Sequence, residues 1–238
     1  MRQHANQSME EFVYEQIKSA ILNRKIPLKT QLGEEQLAEA FKVSRTPIRS
    51  ALKRLQYEKM VQILPNKGAV INQPTQKEIE EVFHLRTILE VDAVKRACQM
   101  ASEDQLKELE SLTYVEEELY KDGEYGRAIE VTSAFHQGLI RLSGNELIEK
   151  YSQELINITN IHLAYHDSAK KESPLCPSEH RSIINAIRKK DEQEAVSKFL
   201  EHFTTVRKHL ESDKDVNAVD FTEVFKPFSD SKEKKGKM

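Results

Sequence analysis

The sequence predicts a mainly α fold in two parts: a three-helix unit closed by a short hairpin, then an all-α antiparallel helical bundle. Three observations carry that expectation. Apolar residues recur every three to four positions through most of the chain. Glycine and proline are scarce, seven of each, and tryptophan is absent, while 32% of residues are charged. A Gln73-Pro74 break separates a region with a strand-turn-strand pattern from one without any. With 238 residues, 38% of them hydrophobic, the chain holds enough apolar material for two cores.

The first helix is expected from about Ser8 to Arg24, where Val13, Ile17, Ala20 and Ile21 share a face, and Pro27 follows its end. A shorter helix spans roughly Glu34 to Phe41 and buries Leu37, Ala38 and Phe41. Ser44 is a good N-cap for a third helix beginning at Arg45. There Ile48, Ala51, Leu52 and Leu55 form the inward stripe, leaving Arg45, Thr46, Arg49, Ser50 and Lys53 off it. Pro47 fits because first-turn amides have no intrahelical acceptor. Val61–Leu64, the turn Pro65-Asn66-Lys67-Gly68 and Ala69–Ile71 then read as a hairpin. Residues 1–74 therefore form a winged helix-turn-helix.

Thr75 with Glu78 makes a capping box that opens the second part. Six helices follow, at about 76–101, 103–121, 124–143, 146–168, 178–190 and 192–211. Ser102 with Gln105 and Asp191 with Glu194 mark starts; Gly123 and Ser143-Gly144-Asn145 mark breaks. Residues 75–215 make the bundle and 216–238 a C-terminal extension. Val219, Phe221, Val224 and Phe225 allow one last short helix, whereas the lysine-rich end is expected to be disordered.

No apolar run is long enough to span a membrane, and the opening Met1-Arg2-Gln3-His4 lacks a signal-peptide core, so the expected location is the cytoplasm. Cys98 and Cys176 stand far apart without a CxxC partner, which argues against a disulfide framework or a thiolate metal site and favours buried or idle thiols. Charge is unevenly spread. Residues 1–75 hold 12 Lys and Arg against 7 Asp and Glu, and the remainder 24 against 32. The basic part is the part suited to phosphate.

A helix that reads DNA needs an apolar face to fix it and a polar N-terminal face that reaches base edges. Arg45 and Arg49, one turn apart, suit bidentate pairing with guanine, and Ser44 and Thr46 suit phosphate or base. Lys67, beside Gly68 at the wing tip, suits the adjacent minor groove or backbone. A plain amphipathic surface helix would show the same stripe. The ordered succession of helix, short helix, helix and hairpin, together with the local positive charge, favours the reader.

Residues from about 10 to 72 resemble the GntR superfamily of bacterial regulators, in its FadR-like subfamily. The resemblance rests on Glu35-Gln36-Leu37-Ala38, then Val43-Ser44-Arg45-Thr46-Pro47-Ile48-Arg49-Ser50-Ala51-Leu52, then Leu55 and Lys67-Gly68. It implies that Arg45, Thr46 and Arg49 touch DNA and that a homodimer binds a short pseudo-palindromic operator. Glu35 departs from the pattern, because some members are basic there and contact DNA.

In the second part His136, His180 and His202 each fall on an apolar helix face. One such histidine is commonly a packed core residue; three on three helices suit a divalent transition metal. Residues 76–211 resemble the FCD ligand-binding domain that accompanies GntR winged helices. The similar stretches are Phe135-His136-Gln137-Gly138-Leu139 with Ser143-Gly144-Asn145, His180-Arg181-Ser182-Ile183, and His202. Metal-binding members use these three histidines, commonly with an aspartate where this chain has Thr132. Zinc is the first expectation, with nickel or manganese as alternatives.

Arg86 sits within the apolar stripe of its helix, so its charge must be paired. Glu90, one turn on, is one partner; the carboxylate of an effector is the other, since related FCD domains bind small organic acids. Thr132 and His162 complete the expected effector pocket, and His166 lies one turn beyond His162. The resulting expectation is a transcriptional regulator, in the sense of a repressor released by a small carboxylate. The rivals are a metal-dependent hydrolase with a three-histidine centre, which lacks a convincing general base, and a non-specific nucleic-acid binder.

Overall fold

A computed structural model describes residues 8–65, 67–166, 176–208, 221, 222, 224 and 225. The chain divides into two compact units, Met1–Gln73 together with Asp215–Met238, and Pro74–Lys214.

The first unit contains α1 (Met9–Leu22), α2 (Glu34–Phe41), α3 (Arg45–Tyr57), β1 (Val61–Leu64) and β2 (Gly68–Ile71). Ser8 caps α1 by accepting from the Glu11 amide. Its buried Val13, Ile17 and Ile21 face the Ile48, Ala51, Leu52 and Leu55 stripe of α3, and these two helices pack together. Arg54 ties them at the rim, with its guanidinium 3.6 Å from the Tyr14 ring centroid and its Nη1 2.6 Å from Glu11. In α2 the buried residues are Leu37, Ala40 and Phe41, spaced i, i+3, i+4; Ala38, expected inside, is half-buried. Lys42 ends α2 in the left-handed region, which turns the chain sharply into α3.

β1 and β2 pair antiparallel from Val61 opposite Ile71 to Leu64 opposite Gly68. Gly68 has φ +69°, a value that favours glycine at the tip of the wing. The hairpin is tied to the helices by the Leu32 amide, which donates to the Ala69 carbonyl at 2.7 Å.

The C-terminal segment belongs to this unit. Phe221 and Phe225 are buried, and the Phe225 ring lies 4.4 Å from that of Phe41, which Phe12 meets edge-on. Residues 221, 222, 224 and 225 are helical. The rest of the expected last helix and the lysine-rich end lie outside the described residues, as do Asn66 and the expected helix ends at 167–168 and 209–211.

The second unit holds α4 (Gln76–Met100), α5 (Glu103–Lys121), α6 (Tyr125–Arg141), α7 (Glu146–His166), α8 (Cys176–Arg188) and α9 (Glu192–Lys208). Capping boxes at Thr75/Glu78 and Ser102/Gln105 fix the starts of α4 and α5, and the Asp191 carboxylate accepts the Glu194 amide at α9. The core is built on Phe83, Phe135, Leu139, Ile183, Ile187 and Phe199. Gly138 lets α6 lie close on α5, since a Cβ there would overlap the Leu109 side chain. Among the described residues no helix is long and apolar enough to cross a membrane.

Candidate functional site

The bundle brings His136 of α6, His180 of α8 and His202 of α9 together at its centre. All three are buried, and one nitrogen from each lies within 4.8 Å of the others. The His202 Nε2 is 3.3 Å from the His180 Nε2 and 3.4 Å from the His136 Nε2. The Phe135 ring stacks on His180 at 4.0 Å and fixes its plane.

Each imidazole also meets a carboxylate through its other nitrogen. His136 Nδ1 is 2.7 Å from Glu90, His180 Nδ1 is 2.9 Å from Glu116, and His202 Nδ1 is 2.8 Å from Glu179. Burial pushes the Glu90 carboxyl up, but Arg86 and His136 outweigh it and hold the group at about 2. For Glu116 burial is outweighed by His180 and Thr132, and for Glu179 by His202, so both stay below the usual carboxylate range. Burial pushes His136 down despite Glu90, and burial with the neighbouring His180 brings His202 to about 3.

An ionised carboxylate only accepts, so the three Nδ1 atoms carry the protons, and in neutral rings the three Nε2 atoms present lone pairs. Lone pairs at this separation repel. One proton can join at most two of them, whereas a cation between them satisfies all three. Nitrogens bound at ~2.0–2.1 Å in tetrahedral geometry stand about 3.3–3.4 Å apart, so the residues fit a zinc-like ion. Histidines whose second nitrogen is held by a carboxylate are the usual support for such a centre.

Sequence reasoning had paired Glu90 with Arg86 and missed its bond to His136; it passed over Glu116 and Glu179. Glu116 was detectable as an acid on the buried stripe Leu106, Leu109, Thr113 of α5. Glu179 gave no signal beyond its place beside His180. Thr132, at the position of the expected aspartate, has its Oγ1 2.5 Å from Glu116 and 3.0 Å from the Ala128 carbonyl, and its single proton is best placed for the closer carboxylate. It therefore faces a supporting carboxylate. Cys176, Glu179 and His202 form a second group of metal-ligating types, but Glu179 already accepts from His202 there.

Arg86 is buried in α4, and its Nε donates to Glu90 at 2.6 Å. Glu90 thus links Arg86 to His136. The guanidinium lies 4.9 Å from the Phe203 ring centroid, and its Nη2 has no hydrogen-bond partner among the described residues. An unused buried donor costs roughly 1–3 kcal/mol, which an anion would recover. His162 is buried on α7, outside the three-histidine group; the His166 side chain lies outside the described residues.

In the first unit Ser44, Arg45, Thr46 and Arg49 are all exposed along the start of α3, and Lys67 and Gly68 are exposed at the wing. Ser44 adopts the N-cap conformation without a side-chain bond to the helix, so its hydroxyl is not spent there. Both arginines meet acids of α2: Arg45 pairs with Glu35, and Arg49 grips Glu34 through Nε at 3.0 Å and Nη2 at 2.8 Å. The hydrogen bonds from Arg49 hold the Glu34 carboxyl below its usual range.

An exposed basic helix on a winged three-helix scaffold, followed by an all-helical bundle, has the architecture of a transcriptional regulator. Residues 9–71 match the gntR family of bacterial regulatory proteins and residues 81–205 match the FCD domain. The chain is 30% identical over 201 residues to the uncharacterized HTH-type transcriptional regulator YdhC of Bacillus subtilis, covering 83% of this chain and 88% of that protein. It is 25% identical to the gluconate operon transcriptional repressor of the same species, over 82% of each. A solved GntR regulator from Rhodococcus sp. RHA1 superposes with a TM-score of 0.72 at 19% identity, over 87% of this chain and all of that one. The chain belongs to the GntR family, with an FCD domain as its second part. These families and relatives are DNA-binding transcriptional regulators and not enzymes, which disposes of the hydrolase alternative.

Proposed function

We propose that this regulator is a cytoplasmic homodimeric repressor, whose grip on a pseudo-palindromic operator is set by a small organic acid bound beside a divalent metal. The observation that carries the proposal is the convergence of three Nε2 atoms whose Nδ1 partners are all carboxylates. His136, His180 and His202 hold the ion, with zinc as the first choice. The ion supplies a positive centre for a carboxylate oxygen. Arg86 supplies the second grip through its unused Nη2, and Thr132 and His162 belong to the surrounding pocket.

Ser44, Arg45, Thr46 and Arg49 form the reading face, and Lys67 with Gly68 the wing contact. Dimerisation is supported by Leu85 and Ile88 of α4 and Leu147 and Tyr151 of α7, large apolar residues exposed on two helices that pack together. An effector acts only through unequal affinity for two arrangements of the dimer. The repressor sense accords with the named gluconate operon repressor.

A thermal-shift screen of small carboxylic acids, with and without chelator, tests the sensor. A ligand present at 100 times its Kd stabilises by about 2.7 kcal/mol. The expected result is a hit that vanishes when the metal is stripped; hits indifferent to chelator contradict the metal-linked pocket.

A further inference from the structure

The two arginines assigned to DNA reading do not stand as bare cations. Glu34 and Glu35 open α2, and their carboxylates lie against Arg49 and Arg45 respectively. All four side chains are substantially solvent-exposed, and ion pairs of that kind add little to fold stability. What they change is the field of the reading face. Two cations and two anions there sum to zero, although the surrounding unit is basic.

The geometry of the Arg49 pair is informative. Glu34 occupies the side of the guanidinium fork formed by Nε and Nη2. The end of the fork, Nη1 with the outer hydrogen of Nη2, is left open and presents a second pair of donors that can match guanine O6 and N7. A carboxylate on the side edge therefore fixes the arginine without using the donors that read a base. It also removes most of the attraction the arginine would exert on any phosphate.

We propose that Glu34 and Glu35 are specificity-determining residues of this regulator: they hold Arg49 and Arg45 for guanine while suppressing binding to duplex of unrelated sequence. The proposal rests on α3 being the DNA reader. Non-specific affinity comes almost wholly from phosphate neutralisation, so it is the component that carboxylates on this face reduce. Glu35 carries particular weight, because a basic residue at its position would add a cation where this chain has an anion.

The test compares the full-length protein with its Glu34→Gln/Glu35→Gln variant, each binding two duplexes. One duplex is enriched from a random pool by the wild-type protein; the other is a random-sequence duplex of equal length. Glutamine keeps the shape and can still accept from arginine, so folding is retained and is checked by circular dichroism. Relieving two repulsions at each of two reader helices adds up to about four effective phosphate contacts. The salt slope for random duplex then steepens by up to about 3.6, which is on the order of a hundredfold more loss of affinity between 50 and 200 mM salt.

The expected result is tighter binding of random duplex at low salt, that steeper slope, and a smaller ratio of selected to random affinity. Unchanged random-duplex affinity and slope overturn the proposal. Failure of the underlying reading shows separately: the wild-type protein enriches no sequence, or Arg49→Ala enriches and binds the same one equally well, and the proposal falls with it.

Discussion

Glu116→Gln isolates the charge of one supporting carboxylate. Glu116 is fully buried, accepts from His180 Nδ1 through Oε2, and accepts from the Thr132 hydroxyl through Oε1. In the variant the amide oxygen still accepts from His180. The new NH2 faces Thr132, whose hydroxyl can accept from it and turn its own proton to the Ala128 carbonyl. No buried polar atom loses its partner, so the fold is retained. The negative charge behind the His180 ring is lost, and with it part of the basicity of Nε2. Losing such a partner weakens metal binding about 10–100-fold, or about 1.4–2.7 kcal/mol. Competition against a chromogenic chelator at neutral pH measures it, with far-UV circular dichroism as the control. A folded variant that binds metal as tightly as the natural protein would refute the supporting role of Glu116.

Arg86→Lys keeps a positive charge for Glu90 but removes the planar fork, so the variant should retain metal and lose the melting-point rise given by a carboxylate effector; an undiminished rise contradicts the clamp. Phe225→Ala deletes the ring that covers Phe41 and should destabilise the first unit by about 3 kcal/mol, read by urea unfolding of the full-length protein as an earlier loss of that unit alone. Gly138→Ala places a methyl on Leu109 and should cost about 1–3 kcal/mol in the second unit by forcing that buried side chain out of its packing; an unchanged unfolding midpoint refutes the close-approach role.

What could be read from the sequence follows from periodicity and caps. The Ile48, Ala51, Leu52, Leu55 stripe, Ser44 at the N-cap position and Gly68 at the wing made the third helix and the hairpin legible, because local propensity and burial agree there. The three histidines were legible as inward-facing residues, since each shares its face with aliphatic or aromatic neighbours. Their shell was not. Glu90, Glu116 and Glu179 meet their histidines across 46, 64 and 23 residues of chain, and no helical period encodes such a distance. The Thr132 position illustrates the same limit: periodicity placed it toward the site, but only the fold shows it turned to Glu116. The short C-terminal helix was legible, but its packing on the first unit was not, for a related reason. Phe221 and Phe225 look like a short isolated pair in sequence, and their partner Phe41 lies at the far end of the chain.

The coordination of the metal tests the account most directly. X-ray absorption at the zinc edge of the zinc-loaded full-length protein should show a first shell of nitrogen and oxygen at about 2.0–2.1 Å, with the outer-shell signature of three imidazoles. A sulfur scatterer, or a shell without histidine, would place the ion elsewhere and leave the three converging rings without the role assigned to them.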